Sequence, residues 1–181
     1  MNTSQTSPFE ALVELDARIS KYAFELPEKQ TQVESWSGLG FTLNNQQFAL
    51  QVGEVTAILP VPSTTPLPGV QPWAKGISNV RGRLLPIIDL GEFLGQARDS
   101  GKSANRIMIV EQREVSVGLI VDEVQGMVHF STSQFNDAVP DYLFDEVKPF
   151  TVGHYQQEKD YMVFNTQRLV NDPRFLKAAI A

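Results

Sequence analysis

Four stretches of this 181-residue chain carry residue types able to do chemistry. The first, Gly95 to Ser103, reads G-Q-A-R-D-S-G-K-S and looks like a phosphate loop. A Walker A loop needs four residues between its first glycine and the Gly-Lys-Ser, and five stand here. A strand-like run follows from Arg106, so no helix N-terminus is placed to present amides to a phosphate. A solvated loop accounts for the same residues. The second stretch is Asp89 with Glu92. As a general acid Asp89 needs a partner within hydrogen-bond reach, and the neighbouring sequence offers only Glu92. As the cap of the turn D-L-G-E-F-L, with Glu92 in the capping-box position, the pair needs nothing more, and capping is the stronger reading. The third is the pair of histidines, His129 and His154. Each lies in or beside a strand-like run without an i,i+4 partner, which favours a structural role over metal ligation. No nucleophile-elbow glycine-serine pattern occurs. Acid-base, nucleophilic and metal chemistry therefore all lack the residues they need.

The fourth stretch is Arg81-Gly82-Arg83, set inside G-I-S-N-V-R-G-R-L-L-P-I-I-D-L, residues 76 to 90. Gly82 supplies the backbone freedom of a tight turn between two strands. Consecutive residues at a strand end point to opposite sides, so one arginine can be solvated while the other lies against the protein body and requires an acid. Two exposed turn arginines is the other reading of the same pattern.

The totals narrow the field further. A hydrophobic content of 42% is enough to bury a core. A net charge of −6 without clustered Lys and Arg argues against nucleic acid as a partner. With no cysteine, disulfides, thiolate nucleophiles and Cys-ligated zinc are excluded. No apolar run approaches the length of a membrane span, and the opening residues carry no basic-then-apolar leader, which predicts a cytoplasmic protein.

The elements that must position these residues change character along the chain. Residues 7 to 26 predict a helix with Ser7 as N-cap, Pro8 in its first turn and Glu10 completing a capping box. Leu12, Leu15, Ile19, Tyr22 and Leu26 form one apolar stripe, Pro27 stops it, and a polar linker runs to Ser35. From Trp36 the period falls from 3.6 to 2. Residues 41 to 50 predict a hairpin turning at Asn44-Asn45, residues 106 to 121 a second, and residues 150 to 164 a third. Residues 60 to 72 hold five of the eleven prolines and predict an ordered, non-repetitive loop. Asn165 caps a predicted C-terminal helix, with a further turn opening at Asp172-Pro173. Short strands without intervening helices suggest antiparallel barrels rather than a parallel sheet.

The stretch from Gly76 to Leu90 resembles the signature turn of the CheW-like adaptor domain of bacterial chemosensory systems. Three more ordered segments share the resemblance: Phe41 to Val55 with V-G-E-V at 52 to 55, V-G-L-I-V-D-E-V at 117 to 124, and Tyr161 to Leu169. S-W-S-G-L-G-F at 35 to 41, L-P-G-V-Q-P-W-A-K-G at 67 to 76 and G-L-I-V-D-E-V-Q-G-M-V-H-F at 118 to 130 resemble the branch of that family serving type IV pilus twitching motility, as does the N-terminal extension.

The resemblance implies a mainly β fold of two small five-stranded SH3-like β-barrels, spanning residues 36 to 181 with a C-terminal helix, preceded by an N-terminal amphipathic helix and linker over residues 1 to 35. It implies a non-catalytic scaffold without cofactor or metal. Such an adaptor couples the regulatory domain of a CheA-like histidine kinase to the cytoplasmic tip of a methyl-accepting chemotaxis receptor, and meets the membrane only indirectly, through receptor arrays. Nucleic acid is no partner. Between the barrels the family's groove takes the receptor's helical hairpin, and barrel ends meet the kinase. Carried over by motif, that groove draws on Val52, Glu54, Gly76, Arg81, Gly118, Val124 and Met127, with Arg81 expected to pair with Glu54. Arg83 stands where simpler members commonly have an apolar residue, and Met127 is bulkier than their usual valine. The alternative is a free-standing β-barrel that binds a small ligand between its lobes, which requires several convergent polar groups.

Overall fold

Period-2 alternation from Ser35 onward builds strands because each strand has one face to bury, and short strands bury it most fully by curling into barrels. The structure, a computed structural model, describes residues 9, 12, 13, 15, 16, 35–96, 105–112 and 115–180. It divides into Met1–Gln32 and Val33–Ala181. In the first unit Phe9, Leu12, Val13, Leu15 and Asp16 are helical and exposed. The Ser7 cap, the linker and the rest of the predicted stripe lie outside the described residues, as does most of the Gly95–Ser103 loop.

The second unit carries β1 (Ser35–Leu43), β2 (Gln46–Gln51), β3 (Val55–Pro60), β4 (Ala74–Val80), β5 (Arg83–Asp89), α1 (Leu90–Phe93), β6 (Arg106–Gln112), β7 (Val115–Val121), β8 (Glu123–Ser131), β9 (Phe135–Asn136), β10 (Thr151–Tyr155), β11 (Tyr161–Phe164), α2 (Thr166–Val170) and α3 (Pro173–Leu176). One sheet runs β8-β1-β2-β11-β10-β9 and the other β3-β6-β7-β5-β4. The chain thus starts in the first sheet, builds the whole second sheet, and returns. The first sheet counts six strands rather than the expected five because the chain bends after β8 through a 3-10 turn at Thr132–Gln134, and the two-residue β9 pairs with β10. The second sheet is closed by Thr65, whose amide and carbonyl both bond Ile77 of β4, at 2.8 and 2.9 Å.

Local signals hold where they are strongest. Asn44 and Asn45 take φ of 50° and 67°, the left-handed pair that a two-residue hairpin turn requires. Asn165 accepts from the Arg168 amide to cap α2, and Asp172 accepts from the Arg174 amide to cap α3, each worth about 1 kcal/mol. Asp89 caps α1 by accepting from the Glu92 amide. The capping box is not completed, because the Glu92 carboxylate turns instead to Lys75 at 2.6 Å. His154 is buried and its Nδ1 donates to the Ala138 carbonyl at 2.9 Å, while His129 is exposed and its Nδ1 lies 2.8 Å from Ser37 Oγ.

Alternation also divides the apolar side chains. Ile107, Ile109, Ile120, Ile87, Leu85 and Val80 form a core belonging to the second sheet alone. The other faces of the same strands, with Met108, Val110, Val117, Leu119 and Val121, join Phe41, Phe48, Phe150, Phe164, Leu169 and Phe175 in a core shared by both sheets. β6 and β7 are therefore buried on both sides, which explains their near-continuous apolar runs.

Candidate functional site

On the outside of that shared core the two sheets leave a cleft of about 190 Å³. One wall comes from Leu39 of β1 and Met127 of β8, which face each other as a cross-strand pair. The opposite wall is the turn after β2 with the first residues of β3: Val52, Gly53, Val55, Thr56, Ala57 and Ile58. The local reason is an exception to alternation. In β8 the outward positions are Glu123, Gln125, Met127 and His129, and in β3 they are Thr56, Ile58 and Pro60. Met127 and Ile58 are the aliphatic side chains on those outer faces. They stay 61% and 40% exposed, and Val52 47%. An apolar side chain fixed in water on a rigid strand is surface awaiting cover.

The cleft is poor in polar groups. Thr56 supplies the polar side chain in its lining, and that hydroxyl already donates to the Ile109 carbonyl at 3.3 Å. Several convergent donors or acceptors, which a small polar ligand would require, are not built into it.

The seven residues expected in the groove are distributed more widely than the resemblance implies. Val52 and Met127 line the cleft. Val124 packs against the shared core on the inward face of β8. Gly76 and Gly118 are buried, and the close approaches they permit are internal. Gly76 takes φ of 120° with the Thr65 carbonyl packed where a Cβ would project, so it serves the closure of the second sheet. Gly118 sits under the Ile107 and Ile87 side chains, where a Cβ would lie 2.8 Å from Ile87 Cδ1 and nearer still to Ile107. Neither glycine opens its missing side chain toward a partner.

Arg81 and Glu54 are not brought together as an ion pair. Arg81 is exposed at the tip of the β4–β5 hairpin with φ of 53°, followed by Gly82 at 82°. The arginine that finds an acid is Arg83, bonded to Glu111 at 2.5 Å and to Ser116 Oγ at 3.1 Å. Glu54 accepts from the Thr166 hydroxyl at 2.7 Å, and its backbone carbonyl accepts from the Glu111 amide at 3.2 Å. Both arginines are exposed, as in the reading of two exposed turn arginines, and the ion pair at this turn is Arg83 with Glu111 rather than the Arg81–Glu54 pair that the resemblance implies. The sequence reading also misses Leu39, Val55, Ala57 and Ile58, of which Ile58 had a usable signal as an isoleucine at an outward strand position.

The comparisons with known proteins agree with this architecture. A model of the CheW-like domain matches residues 37–174. Protein PilI of Pseudomonas aeruginosa is 42% identical over 180 residues, covering 99% of this chain and 100% of its own. The Bacillus subtilis chemotaxis protein CheW is 33% identical over 98 residues, covering 54% of this chain and 63% of its own. The crystal structure of the scaffolding protein TtCheW from Thermoanaerobacter tengcongensis superposes with a TM-score of 0.68 at 24% identity, covering 77% of this chain and 95% of that one, a likeness of fold.

Proposed function

This chain belongs to the CheW-like domain family, and we propose that it is a non-catalytic chemosensory adaptor whose cleft receives the helical hairpin at the cytoplasmic tip of a methyl-accepting chemotaxis receptor. The observation that carries the reading is the open apolar cleft between Met127 and Leu39 on one side and Val52 and Ile58 on the other. An amphipathic helix docks by laying an apolar face into such a groove, with affinity from buried area rather than from fixed polar contacts.

Arg81 supports the same reading. A non-glycine residue at positive φ costs roughly 1 to 2 kcal/mol, and glycine or asparagine would relieve that at a hairpin tip. A long cation kept there, with its charge in water, suits a partner that carries acid. The second partner is the regulatory domain of a CheA-like histidine kinase, met through barrel ends. Full-length likeness to PilI supports assignment to a chemosensory pathway controlling type IV pilus twitching motility. Among the described residues no helix is long and apolar enough to cross a membrane; cytoplasmic placement with recruitment through receptor arrays fits the adaptor reading.

Capture from a lysate of the native bacterium, with this protein as bait, tests it. Receptor and kinase should both co-purify with the wild type, and Ile58→Glu should lose the receptor while keeping the kinase. Retention of the receptor by a folded Ile58→Glu protein would move the site away from the cleft.

A further inference from the structure

We propose that the Thr166 hydroxyl is a positioning group for the cleft: it anchors the Gln51–Glu54 turn, and with it the wall formed by Val52 and Gly53, to β6 and to the start of α2. The inference deepens the receptor reading and rests on it only for its binding arm.

Thr166 is fully buried, with no exposed surface. A carboxylate can only accept, so at 2.7 Å the hydroxyl proton goes to Glu54 Oε2, and the hydroxyl oxygen in turn accepts from Gln112 Nε2 at 3.0 Å. Neither bond is required by the helix. Asn165 already caps α2, accepting from the Arg168 amide at 2.9 Å. Nor is the hydroxyl required by packing, since valine has the same shape. What it does is hold Glu54 from one side while the backbone holds it from two others: the Glu54 amide donates to the Gln51 carbonyl at 3.2 Å, and the Glu54 carbonyl accepts from the Glu111 amide at 3.2 Å.

The turn needs such an anchor. Val52 and Gly53 are exposed, and Gly53 takes φ of 107°, a conformation that no side-chain packing at that residue enforces. The shared core holds the two sheets together, but its residues stop at Leu50 and resume at Val55. Between those points the polar bond to Thr166 ties the turn to the chain that leaves β11. One cleft wall is therefore held by a buried hydroxyl in addition to its backbone bonds.

Two variants separate anchoring from packing. Thr166→Val keeps the shape and removes the donor; Thr166→Ser keeps the donor and loses a methyl. The probe is a soluble cytoplasmic hairpin of a chemoreceptor from the same bacterium, titrated against the full chain, with backbone hydrogen exchange followed in parallel. Thr166→Val is expected to bind the hairpin about tenfold more weakly, equivalent to about 1.4 kcal/mol, and to speed exchange at the Glu54 and Glu111 amides about tenfold. Met108 and Leu119 in the shared core should keep wild-type protection, and Thr166→Ser should match the wild type in both readouts. Unchanged exchange at Glu54 and Glu111 in Thr166→Val overturns the proposal, as does a loss confined to Thr166→Ser, which would mark a packing role. If the wild type itself binds no hairpin, the receptor reading fails, and the exchange arm still decides the anchor.

Discussion

Two apolar surfaces lie between the same two sheets, and they have opposite fates. The shared core is filled by aromatic rings that leave little space: Phe41 and Phe48 stack at 5.4 Å, Phe164 meets Phe41 edge-on at 6.1 Å, and Phe93 meets Phe175 edge-on at 5.4 Å. Apart from Gly53 and Thr56, the cleft is lined by Leu, Val, Ala, Ile and Met, without a ring. Rings interlock into one arrangement, whereas short aliphatic side chains and a pliable methionine accept another surface without first being displaced. Chemistry alone does not separate the two surfaces, since both are apolar. What separates them is whether the chain supplies its own complement.

The sharpest test of that contrast removes a ring from the closed side. Phe150 is 1% exposed and touches both Phe93 and Phe164, so Phe150→Ala should cost roughly 3–5 kcal/mol, read as a lower denaturant midpoint with loss of cooperativity between the sheets. Equal stability of the variant would mean that the two sheets do not share a core. Gly118→Val comes next. It overfills the core private to the second sheet, against Ile107 and Ile87, and should cost about 1–3 kcal/mol in urea melts without any direct effect at the cleft. On the open side, Met127→Glu should change stability by no more than about 0.5 kcal/mol, yet abolish capture of the receptor hairpin. A melt lowered as far as that of Phe150→Ala would show that Met127 belongs to the core after all.

The smallest effect concerns acid. Asp172 is held below the usual carboxylate range first by its side-chain bond to Arg174, against the opposing pull of its burial. A carboxyl depressed in the folded state stabilises it fully above the ordinary value of 3.8, and that contribution disappears as pH falls through the lowered native value. Asp172→Asn should therefore flatten the part of the acid limb that lies between 3.8 and the lowered native value, and leave the curve at neutral pH shifted uniformly. An unchanged acid limb would remove the pair from the ledger of α3.

The parts of the fold legible in the sequence are those decided within a few residues. Asn44-Asn45 announces its turn, Asn165 and Asp172 announce their helices, and alternation announces β1, β2, β6 and β7. Pairings between distant segments carry no such mark. Nothing near Arg83 names Glu111 as its acid, 28 residues on, and nothing near Glu54 names Thr166, 112 residues on. Of the residues that the family resemblance named, Val52 and Met127 line the cleft, but the resemblance could not say that Gly76 and Gly118 spend their small size inside the barrel. That distinction depends on what stands opposite each glycine, which only the closed sheet determines.

The order in which the chain visits its two sheets has a consequence for how it folds. The second sheet pairs segments lying between Val55 and Val121, while β1 must wait for β8, as in the contact between Ser37 and His129, 92 positions apart. Closing a long loop costs entropy before any contact repays it, so the barrel made of nearer segments is expected to form first and to draw the ends of the first barrel together as it does. Its compact body then acts as a splint that brings β1 and β8 side by side. Pulse-labelled refolding should show the Met108 amide protected before that of Ala49, and the reverse order would assign the splint to the first barrel. On the ribosome the same arrangement leaves β1 and β2 unpartnered with β8 and β11 until the last third of the chain emerges, so the inserted barrel is also what shortens the exposure of their edges.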